Sequence, residues 1–304
     1  MNLPPRASIV EVGPRDGLQN EPARVSAADK IAFINRLADA GHTRIEVTAF
    51  VSPRWGPQMA DAAEVCAGIT RHPGVRYSAL VPNLTGLTRA REARLDEVAV
   101  FPAASETFSQ RNLNQSVDAV MSNAKEVCTQ ALAAGLRVRG YLSTAFGCPF
   151  EGAVAPARVI DLTRQLLDFG AYEVSISDTI GVAHPRQVTE LLQALAPRVP
   201  LDAVALHFHD TRGTALVNVY AALEAGVTTF DASSGGLGGC PYAPGATGNL
   251  ATEDLVYMLD GLGVATGVRL DGIIEASRAI EPLVGHPLPS RMYRAAYARH
   301  YNRS

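Results

Sequence analysis

The feature that most limits what this 304-residue chain can fold into is an alternation repeated eight times. A short apolar or β-branched run is followed each time by a stretch with helical apolar spacing, and a glycine often closes that stretch. Strands are predicted at 9–12, 44–48, 77–81, 97–101, 137–142, 173–176, 201–206 and 227–232. Helices are predicted at 27–40, 60–70, a third ending near 93, then 116–134, 156–169, 185–196, 214–225 and 249–262. Ser26 has the chemistry of an N-cap, with Asp29 three residues on in the capping-box position. Gly41, Gly135, Gly170 and Gly226 stand where helices should stop. Parallel strands joined by helical crossovers give an α/β fold, and eight such units close into a TIM (β/α)8 barrel. The competing open, doubly wound sheet is disfavoured, because no GxGxxG fingerprint follows the first strand and no P-loop is present. With no low-complexity stretch or linker, 1–304 reads as a single domain, its barrel spanning about 8–265. The tail, about 270–304, is predicted as additional C-terminal helices broken near Gly285-His286-Pro287 and packed on the barrel or on a partner subunit.

Reactive residues in such a barrel belong at the C-terminal ends of the strands. The unusual residues fall there. His207 and His209 end the seventh strand and, two apart, project to one face, while Phe208 projects to the other. Two imidazoles side by side are either satisfied core histidines or the nitrogen ligands of a divalent metal. Arg15 and Asp16 follow the first strand, and Glu46 lies late in the second. Thr144 and Cys148 follow the fifth strand, and Asp178 and Thr179 the sixth. Asp16 can cap a turn or supply a hard oxygen ligand. Asn249 can cap a helix or supply an amide oxygen. Two oxygens and two nitrogens suit Mg²⁺, Mn²⁺ or Co²⁺, with zinc possible. Glu46 alternates with Ile45 and Val47 and should point inward, where a buried carboxylate needs a cation; Arg15 can provide it. The run Gly235-Gly236-Leu237-Gly238-Gly239 reads as a mobile lid carrying Cys240, a candidate general acid.

Composition removes other classes. A net charge of −3 gives no footprint for nucleic acid or an anionic membrane. No apolar run reaches the length of a membrane span. The first strand follows the start so closely that no signal or transit peptide is expected. The four cysteines, Cys66, Cys128, Cys148 and Cys240, lack disulfide or CxxC spacing, which predicts reduced thiols in a cytoplasm. Lys30 and Lys125 are the only lysines, both in polar-faced helical patterns. A Schiff-base carbon–carbon lyase needs a buried lysine, so bond cleavage here would require a metal as electron sink and no organic cofactor.

Several motifs together resemble the hydroxymethylglutaryl-CoA lyases, within the DRE-type metallolyase barrels. The first is Val10-Glu11-Val12-Gly13-Pro14-Arg15-Asp16-Gly17-Leu18-Gln19-Asn20-Glu21. Others are Phe50-Val51-Ser52-Pro53, Gly147-Cys148-Pro149, Asp178-Thr179-Ile180-Gly181-Val182 and His207-Phe208-His209-Asp210-Thr211. The most specific is 235–249, continuing through Leu250-Ala251-Thr252-Glu253-Asp254-Leu255-Val256-Tyr257-Met258. The resemblance runs from about 9 to 268 and fades in the tail. It implies cleavage of 3-hydroxy-3-methylglutaryl-CoA to acetoacetate and acetyl-CoA with a divalent cation, Mg²⁺ or Mn²⁺. It implies Asp16, His207, His209 and Asn249 as metal ligands, and Arg15, Asp16, Glu46, His207 and Cys240 as the catalytic set. Arg15 would stabilise the thioester enolate and Cys240 would protonate C2. Asp16, His207 or a bound water would be the base. Arg15, Ser143, Asp178 and Thr179 are expected to bind the acyl-CoA substrate. A homodimer is expected.

The chain departs from family members at Ser177, where Gly is usual. It also has Phe208 and Arg212 where the animal enzyme has Cys and Tyr. Phe208 should face outward, whereas Ser177 and Arg212 should lie near the acyl pocket, which leaves room for a longer 3-hydroxy-3-alkylglutaryl-CoA. The rival readings are a Claisen-type synthase joining acetyl-CoA to a 2-oxo acid, a metal hydrolase, and a barrel whose metal is structural. Cys240 in its glycine loop and the lack of an added C-terminal domain favour the lyase direction over the synthase. The oxygen-rich ligand set disfavours a closed structural site.

Overall fold

The computed structural model describes residues 3–54, 56–239 and 248–301. Its strands are β1 (Ser8–Glu11), β2 (Arg44–Ala49), β3 (Arg76–Leu80), β4 (Glu97–Val100), β5 (Arg137–Leu142), β6 (Glu173–Asp178), β7 (Val204–Phe208) and β8 (Thr229–Ala232). Each pairs in parallel with the next, and β1 pairs with β8 from Ser8↔Thr229 to Glu11↔Ala232, closing the barrel. Around it run α1 (Ala27–Asp39), α2 (Ala62–Gly68), α3 (Leu84–Glu92), α4 (Glu106–Leu113), α5 (Val117–Ala133), α6 (Pro156–Asp168), α7 (Pro185–Leu195), α8 (Ala215–Ala225) and α9 (Thr252–Gly261). The tail forms α10 (Leu270–Val284) and α11 (Arg291–Tyr301). This is the predicted TIM barrel with C-terminal helices.

Local chemistry explains the elements. Every residue of β2, β4, β6, β7 and β8 is buried, as expected of parallel strands covered by helices outside and by side-chain layers inside. Ser26 caps α1 by accepting from the Asp29 N–H, and its hydroxyl donates to the Asp29 carboxylate at 2.6 Å. Phe208 faces outward as expected, its ring 5.9 Å from that of Phe146 in the core.

Four details differ from the sequence reading. α4 was not expected, because its sequence is polar and buries only Phe108 and Ser109; the Ser105 hydroxyl nucleates it by accepting from the Phe108 N–H. Leu201–Ala203 form a 3₁₀ turn, so β7 begins at Val204. α9 begins at Thr252 and its N-cap is Ala251, because the Asn249 side chain is engaged elsewhere. Lys30 does not lie on an exposed face: it is buried, its ammonium donating to the Gln58 carbonyl and to both Asp61 oxygens at 2.9 Å. Paired in this way between α1 and the turn before α2, it is no nucleophile for the barrel mouth.

The N-terminal half of the barrel interior holds charges. Arg44 donates to Glu173 at 2.7 and 3.2 Å. Arg139 donates to Glu173 at 2.7 Å and to Asp231 at 2.8 Å. These side chains are buried, and the pairing of two guanidiniums with two carboxylates is what makes that tolerable.

Candidate active site

The mouth is assembled from strand ends and the turns beyond them. After β1 the chain makes one tight turn, Gly13–Gly17, in which the N–H groups of Arg15, Asp16 and Gly17 all donate to the Val12 carbonyl. Arg15 and Asp16 become walls of the cavity at the barrel mouth. Arg15 Nε donates to Glu46 Oε2 at 2.6 Å, and its Nη1 to Asp16 Oδ1 at 2.7 Å. Glu46 lies at an irregularity in β2, where the pairing with β3 slips between Glu46 and Thr48. Such a bulge re-aims side chains. The Arg15 guanidinium also stands 5.6 Å from the centre of the Tyr141 ring.

His207 is the last but one residue of β7, and His209, just beyond the strand, makes an isolated antiparallel bridge with Asn249. The two imidazoles share a face, 5.2 Å apart. His207 Nε2 lies 3.8 Å from Asp16 Oδ2, and its Nδ1 lies 3.3 Å from Asp231 Oδ2. The Asn249 amide nitrogen donates to Asp16 Oδ2 at 2.9 Å and to the Leu237 carbonyl at 3.1 Å. This close approach requires glycine at 238, which has φ of 100°; a Cβ there would stand 2.6 Å from the Asn249 amide nitrogen.

These residues fit a cation. Ligand atoms of Asp16, His207 and His209 lie within 4.8 Å of one another. The buried Asn249 Oδ1 and His209 Nδ1 have no hydrogen-bond partner. A buried, unpaired amide oxygen is costly unless something takes its lone pairs. Its two acceptors fix the amide with the nitrogen toward Asp16, which leaves the oxygen free.

The electrostatics agree. Burial pushes the Asp16 carboxyl up, but Arg15 and then His207 and His209 outweigh it, and the group sits at about 2. His209 is pulled down to about 4 by burial, then by His207. Its ring is thus neutral at ordinary pH, the form a metal ligand requires. Burial also lowers His207, but Asp231 and Asp16 outweigh it and the net shift is upward. Burial raises Glu46 despite the Arg15 contact.

Arg15, Asp16, His207, His209, Ser143, Ser177 and Thr179 line a cavity of about 160 Å³, together with Tyr141, Leu80, Phe101, Phe108 and Asn112. Glu46 stands behind Arg15. Asp178 is not a wall: its two oxygens accept from the Val182 and Ala183 N–H groups at 2.9 Å, so its carboxylate shapes the loop after β6. Arg212 is not a wall either, and it donates to the Ile180 and Gly181 carbonyls at 3.0 and 2.8 Å. Cys148 lies within hydrogen-bonding distance of Ser105, and its sulfur accepts from Phe150 and Glu151 N–H. Cys240 lies outside the described residues, while its neighbour Gly239 lines the cavity. Sequence reasoning missed Asp231, Tyr141, Phe108 and Asn112. For Asp231 a signal existed: an acid inside the apolar run Thr229-Phe230-Asp231-Ala232.

The sequence model of the HMGL-like family matches residues 6–280. A hydroxymethylglutaryl-CoA lyase of Bacillus subtilis is 51% identical over 291 residues, 96% of this chain and 97% of that protein. A 3-hydroxy-3-isohexenylglutaryl-CoA/hydroxymethylglutaryl-CoA lyase of Pseudomonas aeruginosa is 50% identical over 299 residues, 98% of this chain and 100% of that protein. A crystal structure of the Bacillus subtilis HMG-CoA lyase superimposes with a TM-score of 0.96 at 50% identity, covering 98% of this chain and all of that one.

Proposed function

The chain belongs to the HMGL-like family, and from that premise we propose that it cleaves 3-hydroxy-3-methylglutaryl-CoA to acetyl-CoA and acetoacetate. The observation that carries this reading is the mouth itself: Asp16, His207, His209 and the unpaired Asn249 oxygen converge beside an arginine held by two carboxylates.

Asp16, His207, His209 and Asn249 Oδ1 would hold a divalent cation, Mg²⁺ or Mn²⁺, whose Lewis acidity would polarise the C3 hydroxyl and the carboxyl end of the substrate. The remaining chemistry belongs to the chain. The C3-hydroxyl proton leaves to Asp16, whose Oδ2 lies 3.8 Å from His207 Nε2; a His207 that gives its Nε2 lone pair to the cation cannot also accept a proton there. As the C2–C3 bond breaks, charge gathers on the thioester enolate. Arg15, fixed at the cavity wall by Glu46 and Asp16, stabilises that charge without having to reorganise. The thiol of Cys240 delivers the proton to C2. Ser143 and Thr179 line the acyl site. Asp178 acts through the loop it holds.

No helix among the described residues is long and apolar enough to cross a membrane. We place the enzyme in a reducing cytoplasm, a reading supported by the unpaired Cys66, Cys128 and Cys148. We also propose that it works as one domain and as a homodimer, whose interface the tail helices supply; Leu283 and Tyr297 are exposed there.

A longer 3-hydroxy-3-alkylglutaryl-CoA is a second candidate substrate. The Pseudomonas relative bears such a name. A neighbouring cavity of about 540 Å³ shares Gln19, Leu80, Phe101 and Asn112 with the site.

The test is acetoacetate formation from 3-hydroxy-3-methylglutaryl-CoA with Mg²⁺ or Mn²⁺, for wild type beside Cys240→Ala. Wild-type turnover and a loss of ~10²–10⁴-fold in the variant are expected. Unchanged turnover in the variant removes Cys240 from the mechanism. No acetoacetate with either cation overturns the assignment and turns the search to the longer thioesters.

A further inference from the structure

We propose that Asp231 is the positioning residue for His207, holding its ring as the Nδ1–H tautomer so that the Nε2 lone pair faces Asp16 and the cation site. The inference rests on the metal reading above. Asp231 is buried on β8, one strand from His207. Its Oδ1 accepts from Arg139 Nη2 at 2.8 Å, and its Oδ2 accepts from the Ser175 hydroxyl at 2.7 Å. Beside a buried guanidinium the carboxylate is an anion, and a carboxylate anion only accepts. The contact at 3.3 Å between Asp231 Oδ2 and His207 Nδ1 therefore requires the proton on Nδ1. In the neutral ring this leaves Nε2 as the acceptor, on the side where Asp16 Oδ2 lies 3.8 Å away.

Outer carboxylates of this kind fix the tautomer and ring angle of a ligating histidine. Here the orientation reaches His207 from three strands: β5 through Arg139, β6 through Ser175 and β8 through Asp231.

The test is long-range ¹H–¹⁵N NMR of histidine-labelled protein at alkaline pH, before and after Mg²⁺ is added, with the signals assigned by single His→Asn variants. The wild type is expected to show His207 protonated at Nδ1 in both states. Asp231→Asn is expected to mix the tautomers, to weaken Mn²⁺ binding ~10–100-fold and to lower kcat more than it raises KM. A wild-type His207 protonated at Nε2 overturns the proposal, and this spectrum decides alone if Asp231→Asn does not fold. A folded Asp231→Asn with unchanged tautomer and Mn²⁺ affinity also overturns it. Wild type that shows the Nδ1–H tautomer but binds no Mn²⁺ overturns the metal reading instead and leaves the orientation of His207 standing.

Discussion

The lower barrel interior and the mouth are built from the same residue types, and their charge balances differ. Below, Arg44 and Arg139 face Glu173 and Asp231, two cations against two anions, and the buried polar atoms left over are N–H groups, Arg44 Nε and Arg139 Nη1. At the mouth one cation, Arg15, faces two anions, Asp16 and Glu46, and the leftovers include acceptors, Asn249 Oδ1 and Glu46 Oε1. The lower set is complete as it stands. The mouth is one positive charge short, beside two imidazoles. Charge count and spare lone pairs distinguish a structural network from a site, where residue type alone does not.

If this contrast is right, damage at Arg44 or Glu173, which do not reach His207, should cost stability, and damage above should cost turnover. The largest effect is expected from Arg44→Met, which leaves Glu173 with only Arg139. Removing one partner of a buried pair costs ~3 kcal/mol or more, so the urea midpoint should fall while kcat stays near wild type. A drop in kcat at unchanged stability would erase the distinction. Arg15→Gln comes next and should do the reverse. Loss of one preorganised charge stabiliser lowers kcat ~10²–10³-fold, while the unfolding midpoint should move far less than in Arg44→Met. Comparable losses of stability in the two variants would contradict the account.

A third test concerns a third buried region, beneath the glycine loop, and reads a slope with pH. Glu253 accepts from the Gly235 N–H and the Ser277 hydroxyl, and Glu11 accepts from the Ser234 and Gly13 N–H groups and the Thr252 hydroxyl. Burial, the largest influence, pushes Glu253 up to about 8 and Glu11 up to about 7. A carboxyl raised on folding stays protonated in the native state while the unfolded chain ionises. Glu253 therefore withdraws stability as pH climbs from 4.5 to about 8, and the loss is complete above that. Its slope is at most ~1.4 kcal/mol per pH unit. Glu253→Gln should flatten the fall of stability across this window, and identical slopes for the two proteins would exclude Glu253 as its source.

The sequence made the barrel and half of the site readable, for definable reasons. The eightfold alternation has one closed solution. His207 and His209 were visible because a period of two puts them on one face. Asn249 was identifiable by residue type and position, and its amide contacts with Asp16 and Leu237 exclude the cap and leave its oxygen free. Asp178 is a carboxylate at a strand end that resembles a substrate ligand, and in the structure its oxygens accept from two loop N–H groups, contacts that residue type could not foretell. The Arg44–Glu173–Arg139–Asp231 network was not readable, because its pairs are 34 to 129 residues apart and only the closed barrel brings them together. Lys30 was misplaced for a related reason, since its partner Asp61 lies 31 residues away.

The central claim is that the net negative charge and the spare lone pairs of the mouth bind a divalent cation. Counting Mn²⁺ bound to chelator-treated protein by EPR tests it most directly, for wild type, Arg44→Met and His209→Ala. The account predicts a single bound Mn²⁺ per chain in wild type and in Arg44→Met, and binding weakened by more than ~10-fold in His209→Ala. No specific Mn²⁺ in wild type, or equal affinity in His209→Ala, would contradict it.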